Sequence, residues 1–408
     1  METGKIFSEV AAIKANPKWE LYIAREKPLY DRGNDIRCEF GRDYTRVLHC
    51  LAYRRLKHKT QVFFNTNNDH VCTRMEHVAH VESVSFSIAN FLGLNTELTK
   101  AISAAHDLGH APFGHHGETV LKEIAREYLS DDFWHEKNGL RFVDKIELLE
   151  DEKRFLRNLD LTYAVRDGIV SHCGEIDEDE LFPREQYINL ADYNKAAQYQ
   201  PFTWEGCVVK ISDKIAYIGR DIEDAYRLHF IDEEQRNQLY KIARKHKLNT
   251  LNTTTIMYNL ITDLCTNSKP KTGLRFSKEN FEMLKEIKAY NQDVIYNSDK
   301  LTSFKKYAGL IITEIFNALI DAYNGEYTIS ELIKRSKSDF ELYGQFLSWI
   351  VNYCDQDVEA LLHECRSKNE KIYHDLSDKT VYIQAILDYI SGMTDKFAIR
   401  LFQGLVRF

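Results

Sequence analysis

Apolar residues recur along this chain at the spacing of helical faces, while strand-type alternation is rare and brief. From His77, positions 77, 81, 84, 88 and 91 (His, Val, Val, Ile, Phe) trace one stripe, and Gly93 in "LGLN" is placed to close that helix. Asn95 then caps a second helix, with Glu97 in its first turn and Leu98, Ala101, Ile102 and Ala105 as its buried face. His106 continues the 98, 102, 106 row. Further on, "VVKISDKIAYIGRDIEDAY" carries an apolar stripe at Ile211, Ile215, Ile218, Ile222 and Ala225, and lines up Asp213, Tyr217, Asp221 and Asp224 on another face. Only 6 prolines and 18 glycines interrupt 408 residues, so long helices predominate and the predicted fold class is all-α.

The length exceeds one simple core. The best connector is "TNSKPKTGLRFSKEN" at 266–280, which divides the chain into an N-terminal segment over 1–45, a core over 46–265 and a C-terminal helical region over 278–408 packed on it. A net charge of -8 excludes a surface devoted as a whole to nucleic acid. The eight cysteines show no C-x-x-C pair and no framework spacing, which reads as free thiols in a reducing compartment. No window approaches the ~18 to 20 apolar residues that span a bilayer, and the N-terminus lacks a leader's apolar stretch. A cytoplasmic protein with no membrane partner is expected.

The segment "AISAAHDLGHAPFGHHGE" (101–118) gathers four histidines, an aspartate and a glutamate around Gly109, Pro112, Gly114 and Gly117. A metal site needs donors converging from several elements, and three helices each offer some: His77, the pair His106 and Asp107, and Asp213. Two imidazoles and two carboxylates leave positions open for water or a phosphate oxygen, which suits a six-coordinate first-row transition ion or magnesium better than closed tetrahedral zinc. Each donor taken singly has a plainer reading: an inward histidine satisfied in the core, a chance His-Asp pair, a solvated aspartate.

The order His77, then His106-Asp107, then Asp213 resembles the H…HD…D signature of the HD-domain phosphohydrolases, a helical superfamily. The flanking blocks "RVLHCLAYRRLKHKTQVF", "TRMEH", "HDLGHAPFGHHGE", "FWHEKNG" and "DYISGMTDKFA" resemble, in order, stretches of the deoxyguanosine triphosphate triphosphohydrolase family. Related spacing occurs in the vertebrate SAM-and-HD-domain dNTPase. The resemblance implies hydrolysis of a deoxynucleoside triphosphate, dGTP among them, to deoxynucleoside and inorganic triphosphate by attack at the α-phosphorus. Expelling the 5′ oxygen needs a proton donor, a nucleophilic water and neutralisation of phosphate charge.

Carried over by position, the resemblance implies His77, His106, Asp107 and Asp213 as ligands of a divalent ion (manganese, iron, cobalt or magnesium), with magnesium also on the triphosphate. It implies His115 as the acid, Glu118 one turn on as the carboxylate that orients it, and His135 as a further active-site histidine at the phosphates. Arg74, Lys214 and, from the basic run "RRLKHK", Arg55 are the implied phosphate cations; Tyr217 and Asp221 meet the deoxyribose, and Gln61 lies near sugar and base. His110 and His116 are read as structural. The implied partners are the dNTP, copies of the chain in a tetramer or hexamer, and a regulatory nucleotide or single-stranded DNA.

Two other readings keep the same residues. Another HD-type phosphohydrolase, a nucleotidase or phosphodiesterase, differs in its product. A nucleotide sensor with weak turnover has no need of an acid at His115 or of Glu118.

Overall fold

Local signals set the helix ends around the site. The computed structural model describes residues 5–26, 29, 35–63, 70–174, 180–248, 250–337, 341–355 and 370–406. Three short helices come first: α1 (Trp19–Tyr22), α2 (Glu39–His49) and α3 (Leu51–Arg55). Helix α4 (Arg74–Leu92) starts at Thr73, whose side chain accepts from the Glu76 amide while Glu76 reaches back to the Thr73 amide, and it ends at Gly93 with φ 85. Asn95 accepts from the Glu97 and Leu98 amides to open α5 (Thr96–Ala105).

Helix α6 (Gly114–Leu129) begins after a left-handed pair, Phe113 at φ 65 and Gly114 at φ 59. A Cβ on Gly114 would also stand 3.2 Å from the Arg74 guanidinium, so the turn that re-aims the chain after the His106-Asp107 pair requires glycine there. Helices α7 (His135–Arg141) and α8 (Tyr163–Ser171) follow, separated by strands β1 (Leu149–Glu150) and β2 (Leu156–Arg157), the one paired sheet among the described residues. Gly109 lets α7 approach: a Cβ there would sit 2.0 Å from the His135 carbonyl, and Asn138 Nδ2 donates to the Gly109 carbonyl at 2.7 Å.

Helix α9 (Trp204–Arg227) is central, packed against α4, α5 and α8. Its apolar stripe is buried as the spacing predicts, and much of the second face is buried too: Lys214, Asp221 and Asp224 are 6%, 3% and 2% exposed. A helix buried all round is a core helix, so its carboxylates demand partners. Helices α10 (Glu233–Lys245), α11 (Thr253–Asn267) and α12 (Lys278–Tyr290) flank it, and a widened turn at Asn291–Tyr296 returns to its surface. The chain closes with α13 (Thr302–Ile320), α14 (Thr328–Ser336), α15 (Glu341–Ile350), α16 (Lys379–Ser391) and α17 (Asp395–Val406).

Buried side chains fall into three clusters. One joins Val78, Val81 and Ile102 to Val165 and Val209. A second joins Val84 and Ile88 of α4 to Ile211, Ile215 and Ile218 of α9, and continues past the 266–280 connector to Ile287 and Ile295. The third packs Leu121 and Ala125 of α6 on Ile312, Phe316, Ile386 and Leu401. Each fully buried residue of this size stabilises the fold by about 1.5–3 kcal/mol, so the C-terminal helices are a structural wall for α6.

Polar ties reinforce that wall. Lys59 is 2% exposed and its ammonium donates to the His110 carbonyl and, at 3.0 Å, to the Ser391 carbonyl. Asp395 accepts from Thr60 N (3.1 Å), Thr60 Oγ1 (2.8 Å) and Phe113 N (2.9 Å). Among the described residues no helix is long and apolar enough to cross a membrane.

Candidate active site

The end of α5, the start of α6, α7 and the middle of α9 enclose a cavity of about 350 Å³. On its floor, ligand-type atoms of His77, His106 and Asp213 lie within 4.8 Å of one another. His77 Nε2 is 2.9 Å from Asp213 Oδ1, and His106 Nε2 is 3.5 Å from Asp107 Oδ1 and 3.9 Å from Asp213 Oδ1. α4 supplies His77, the end of α5 supplies His106 and Asp107, and α9 supplies Asp213, so three packed helices fix the set.

The donor chemistry fits a divalent ion. His106 Nδ1 donates to the Ser103 carbonyl at 2.7 Å, which fixes the tautomer and leaves Nε2 as a lone pair; that nitrogen is buried with no hydrogen-bond partner. Burial works against charge on Asp213, yet the His77 hydrogen bond and the nearby imidazoles hold its carboxyl below the usual range. Asp107 is likewise held well below it, against burial, by His110 and Arg74. Both carboxylates are thus ionised, as ligands must be.

Above Asp107 lies a second group, with ligand-type atoms of His110, His115, Glu118 and His135 within 4.8 Å of one another. Glu118 Oε2 accepts from His135 Nδ1 at 2.9 Å and stands 3.7 Å from His115 Nδ1. His135 Nε2 is 3.2 Å from Glu136 Oε1. Against the cost of burial, Glu136 and Glu118 raise His135 to about 9, so it is an imidazolium at neutral pH. His115 is the exposed member, with 70% of its side chain accessible at the cavity mouth.

Arg74, 1% exposed, donates to Asp107 Oδ2 at 3.0 Å and lines the cavity, as do Gln61, Lys214 and Tyr217. Lys214 donates to the Gly174 carbonyl in the cavity wall. At the far end, Asp221 Oδ2 accepts from Tyr296 Oη at 2.5 Å, and burial, partly opposed by that bond, pushes the carboxyl up to about 7.

Arg55 is not brought there. It pairs with Glu147 at 2.8 Å and lines a separate cavity of about 510 Å³ with Phe142, Trp349 and Tyr353, because α3 turns it away from α4, α5 and α9. His110, read from sequence as structural, lines the active cavity: its Nε2 is 3.0 Å from Asp107 Oδ1. The signal for it is spacing: His110 stands three residues after Asp107 and four after His106, within the single turn that follows α5. His116 does not line the cavity; burial and Lys305 lower it to about 4. His172 and Tyr296 also line the cavity and had no motif to announce them, and Glu136 does so from within the "FWHEKNG" block, where no role was drawn for it.

The fold and this donor set define an HD domain, and the HD domain family model matches residues 74–218. Over 369 residues the chain is 31% identical to a deoxyguanosinetriphosphate triphosphohydrolase-like protein of Caldanaerobacter subterraneus, covering 90% of this chain and 84% of that one. Proteins with the same description from Rickettsia prowazekii (31% over 399 residues, 94% of each chain) and Rickettsia felis (30% over 418 residues, 93% and 96%) are similar along nearly their whole lengths. The chain belongs to this family of HD-domain dNTPases, metal-dependent nucleotide triphosphohydrolases.

Proposed function

We propose that the protein hydrolyses deoxynucleoside triphosphates, dGTP among them, to deoxynucleoside and inorganic triphosphate, with water attacking the α-phosphorus. The observation that carries this reading is that one cavity is lined by members of both groups: His77, Asp107 and Asp213 from the metal-donor side, and His110, His115 and His135 from the histidine group that Glu118 anchors. His77, His106, Asp107 and Asp213 would hold a divalent ion (manganese, iron, cobalt or magnesium), which when bound would supply Lewis acidity at the α-phosphate and to the attacking water.

The chain's own groups do the rest. His115, at the mouth, protonates the departing 5′ oxygen, and Glu118 orients it while anchoring His135. The His135 imidazolium, Arg74 and Lys214 face the roughly four negative charges of the triphosphate. Asp221, held by Tyr296, accepts from the 3′ hydroxyl, with Tyr217 and Gln61 beside sugar and base. The same reading includes a cytoplasmic homo-oligomer, tetramer or hexamer, open to a regulatory nucleotide or single-stranded DNA; light scattering of the purified chain tests its size.

The test is product identity. Incubation with each dNTP and Mn²⁺ or Mg²⁺ yields inorganic triphosphate and deoxynucleoside in equal amounts, and ¹⁸O from water enters the triphosphate. Pyrophosphate as the main product, or label in the nucleoside, rejects the proposal.

A further inference from the structure

We propose that the cavity of about 510 Å³ beside Arg55 is an effector site for an uncharged nucleoside, coupled to the turn that carries His115. The site lies outside the proposed reaction; only the source of the guest, a deoxynucleoside released as product, rests on that reading. The cavity shares no lining residue with the active one and is bounded by α3, the turn after α7, β2, α15 and the link between α16 and α17. Its volume falls among those of small-molecule sites, roughly 300–1,000 Å³.

The lining sets the class of guest. Phe142, Trp349, Tyr353, Tyr389 and Phe397 supply five aromatic rings, so stacking favours a planar molecule. The charged groups of the wall cancel. Arg55 Nη2 donates to Glu147 Oε1 at 2.8 Å, and Asp388 accepts twice from Arg141, at 2.7 and 2.6 Å. An anionic guest would have to displace a carboxylate that is already paired and leave it alone in a buried place, so an uncharged guest fits. The wall is not apolar throughout: Arg55 Nε and Tyr389 Oη are buried with no hydrogen-bond partner among the described residues. Unmet donors favour a guest that carries acceptors. The Arg55–Glu147 pair also sets N–H groups beside carboxylate oxygens, and the matching edge has an acceptor next to an N–H donor, as nucleobases do. An aliphatic guest would answer neither the rings nor that edge.

The place of the cavity in the fold gives it a reach. Gly392, Met393 and Thr394 form one side of it, and the residues on either flank of these three are tied to the active site. Ser391 accepts from Lys59, which also holds the His110 carbonyl, and Asp395 accepts from Phe113 N and from Thr60. Phe113 and Gly114 set the direction of α6 and so of His115 and Glu118. A guest against Met393 bears on a segment held at both ends, and a difference in its affinity for two positions of that segment shifts the population of His115 positions.

The experiment is equilibrium dialysis of the metal-stripped full chain against radiolabelled deoxyguanosine, with the histidine ring signals followed by NMR. Wild type shows a bound component that persists in Asp221→Ala, is lost in Leu51→Trp and weakens about tenfold in Arg55→Lys, as one mispaired polar contact should. Leu51 is 59% exposed at the rim, and lysine retains the charge that faces Glu147, so neither change asks the fold to adapt. The His115 signal moves as this component saturates in Asp221→Ala and stays fixed when Leu51→Trp is added. Binding equal to wild type in both Leu51→Trp and Arg55→Lys, or complete loss in Asp221→Ala, overturns the site; saturation with the His115 signal unmoved overturns the coupling. dGTP, intact without metal, leaves the component in place, and displacement by dGTP as effective as by deoxyguanosine overturns the uncharged guest. Triphosphate formation is assayed apart: Leu51-dependent binding in a protein that forms no triphosphate supports the site and rejects the reaction, whereas triphosphate formed without such binding overturns the site alone.

Discussion

His110 and His135 lie face to face, ring centroids 3.7 Å apart and 18° from parallel. Two imidazolium rings at that distance repel, so the pair carries a single charge and its surroundings place it. Burial, Arg74 and His135 hold His110 well below the ordinary histidine value, while Glu136 and Glu118 raise His135 to about 9. The stack is one neutral ring on one charged ring.

A pH profile follows. A base whose folded value is raised contributes stability that is complete below its unfolded value near 6.5 and lost as pH rises through about 9. Turnover that uses the His135 charge therefore falls on an alkaline limb near 9. Glu118→Gln removes one supporting carboxylate and moves that limb to lower pH; histidine ring NMR of both proteins checks the assignment.

His115→Ala is expected to cut kcat by ~10² to 10⁴ while metal content and dNTP binding persist. Its exposed side chain makes few demands on the fold, so the melting temperature should hardly move. A substrate with a better 5′ leaving group should recover part of the rate, and a loss confined to KM would contradict the role of acid.

Asp221 and the sugar are tested by a 2′,3′-dideoxy substrate. Losing the 3′ hydroxyl costs on the order of 1 to 3 kcal/mol, about 5- to 150-fold in kcat/KM, and Asp221→Ala shrinks the gap between the two substrates. Burial holds Asp221 at about 7, so it ionises as pH rises through that value and activity on the normal dNTP rises with it. Asp221→Asn should lack this acid limb.

Replacing His106 and Asp107 together by alanine should abolish both bound metal and activity. Helical circular dichroism persists, but the variant melts earlier because Arg74, 1% exposed, loses its carboxylate. Metal at the wild-type level in that variant would overturn the ligand assignment.

Arg55→Ala should leave KM for dNTP unchanged and lower stability by about 1–3 kcal/mol, since Glu147, buried and also bonded to the Leu51 amide, loses its cation. Urea denaturation and steady-state kinetics of the folded protein read the two effects independently.

These residues also show how far sequence reaches. The helix ends at Gly93 and Asn95 and the α4 stripe were legible because each is a matter of spacing within one helix. Arg55 misled because a basic run fixes the period but not which neighbour turns up; Glu147 lies far along the chain. Asp221 stands among charged residues that suggest a solvated face, yet Tyr296 from a distant turn covers it. His172 enters the cavity only through the packing of α7 and α8, which no local pattern encodes.

The ties from Lys59 to Ser391 and from Asp395 to Thr60 and Phe113 have a genetic corollary. A premature stop codon upstream of Asp395 would yield a polypeptide in which every residue expected to touch the ion has already been translated. That product would nonetheless lack the clasp that holds the Phe113 turn, and with it the direction in which His115 and Glu118 leave that turn. Late truncations should therefore behave as null alleles, indistinguishable in phenotype from loss of the His-Asp pair itself.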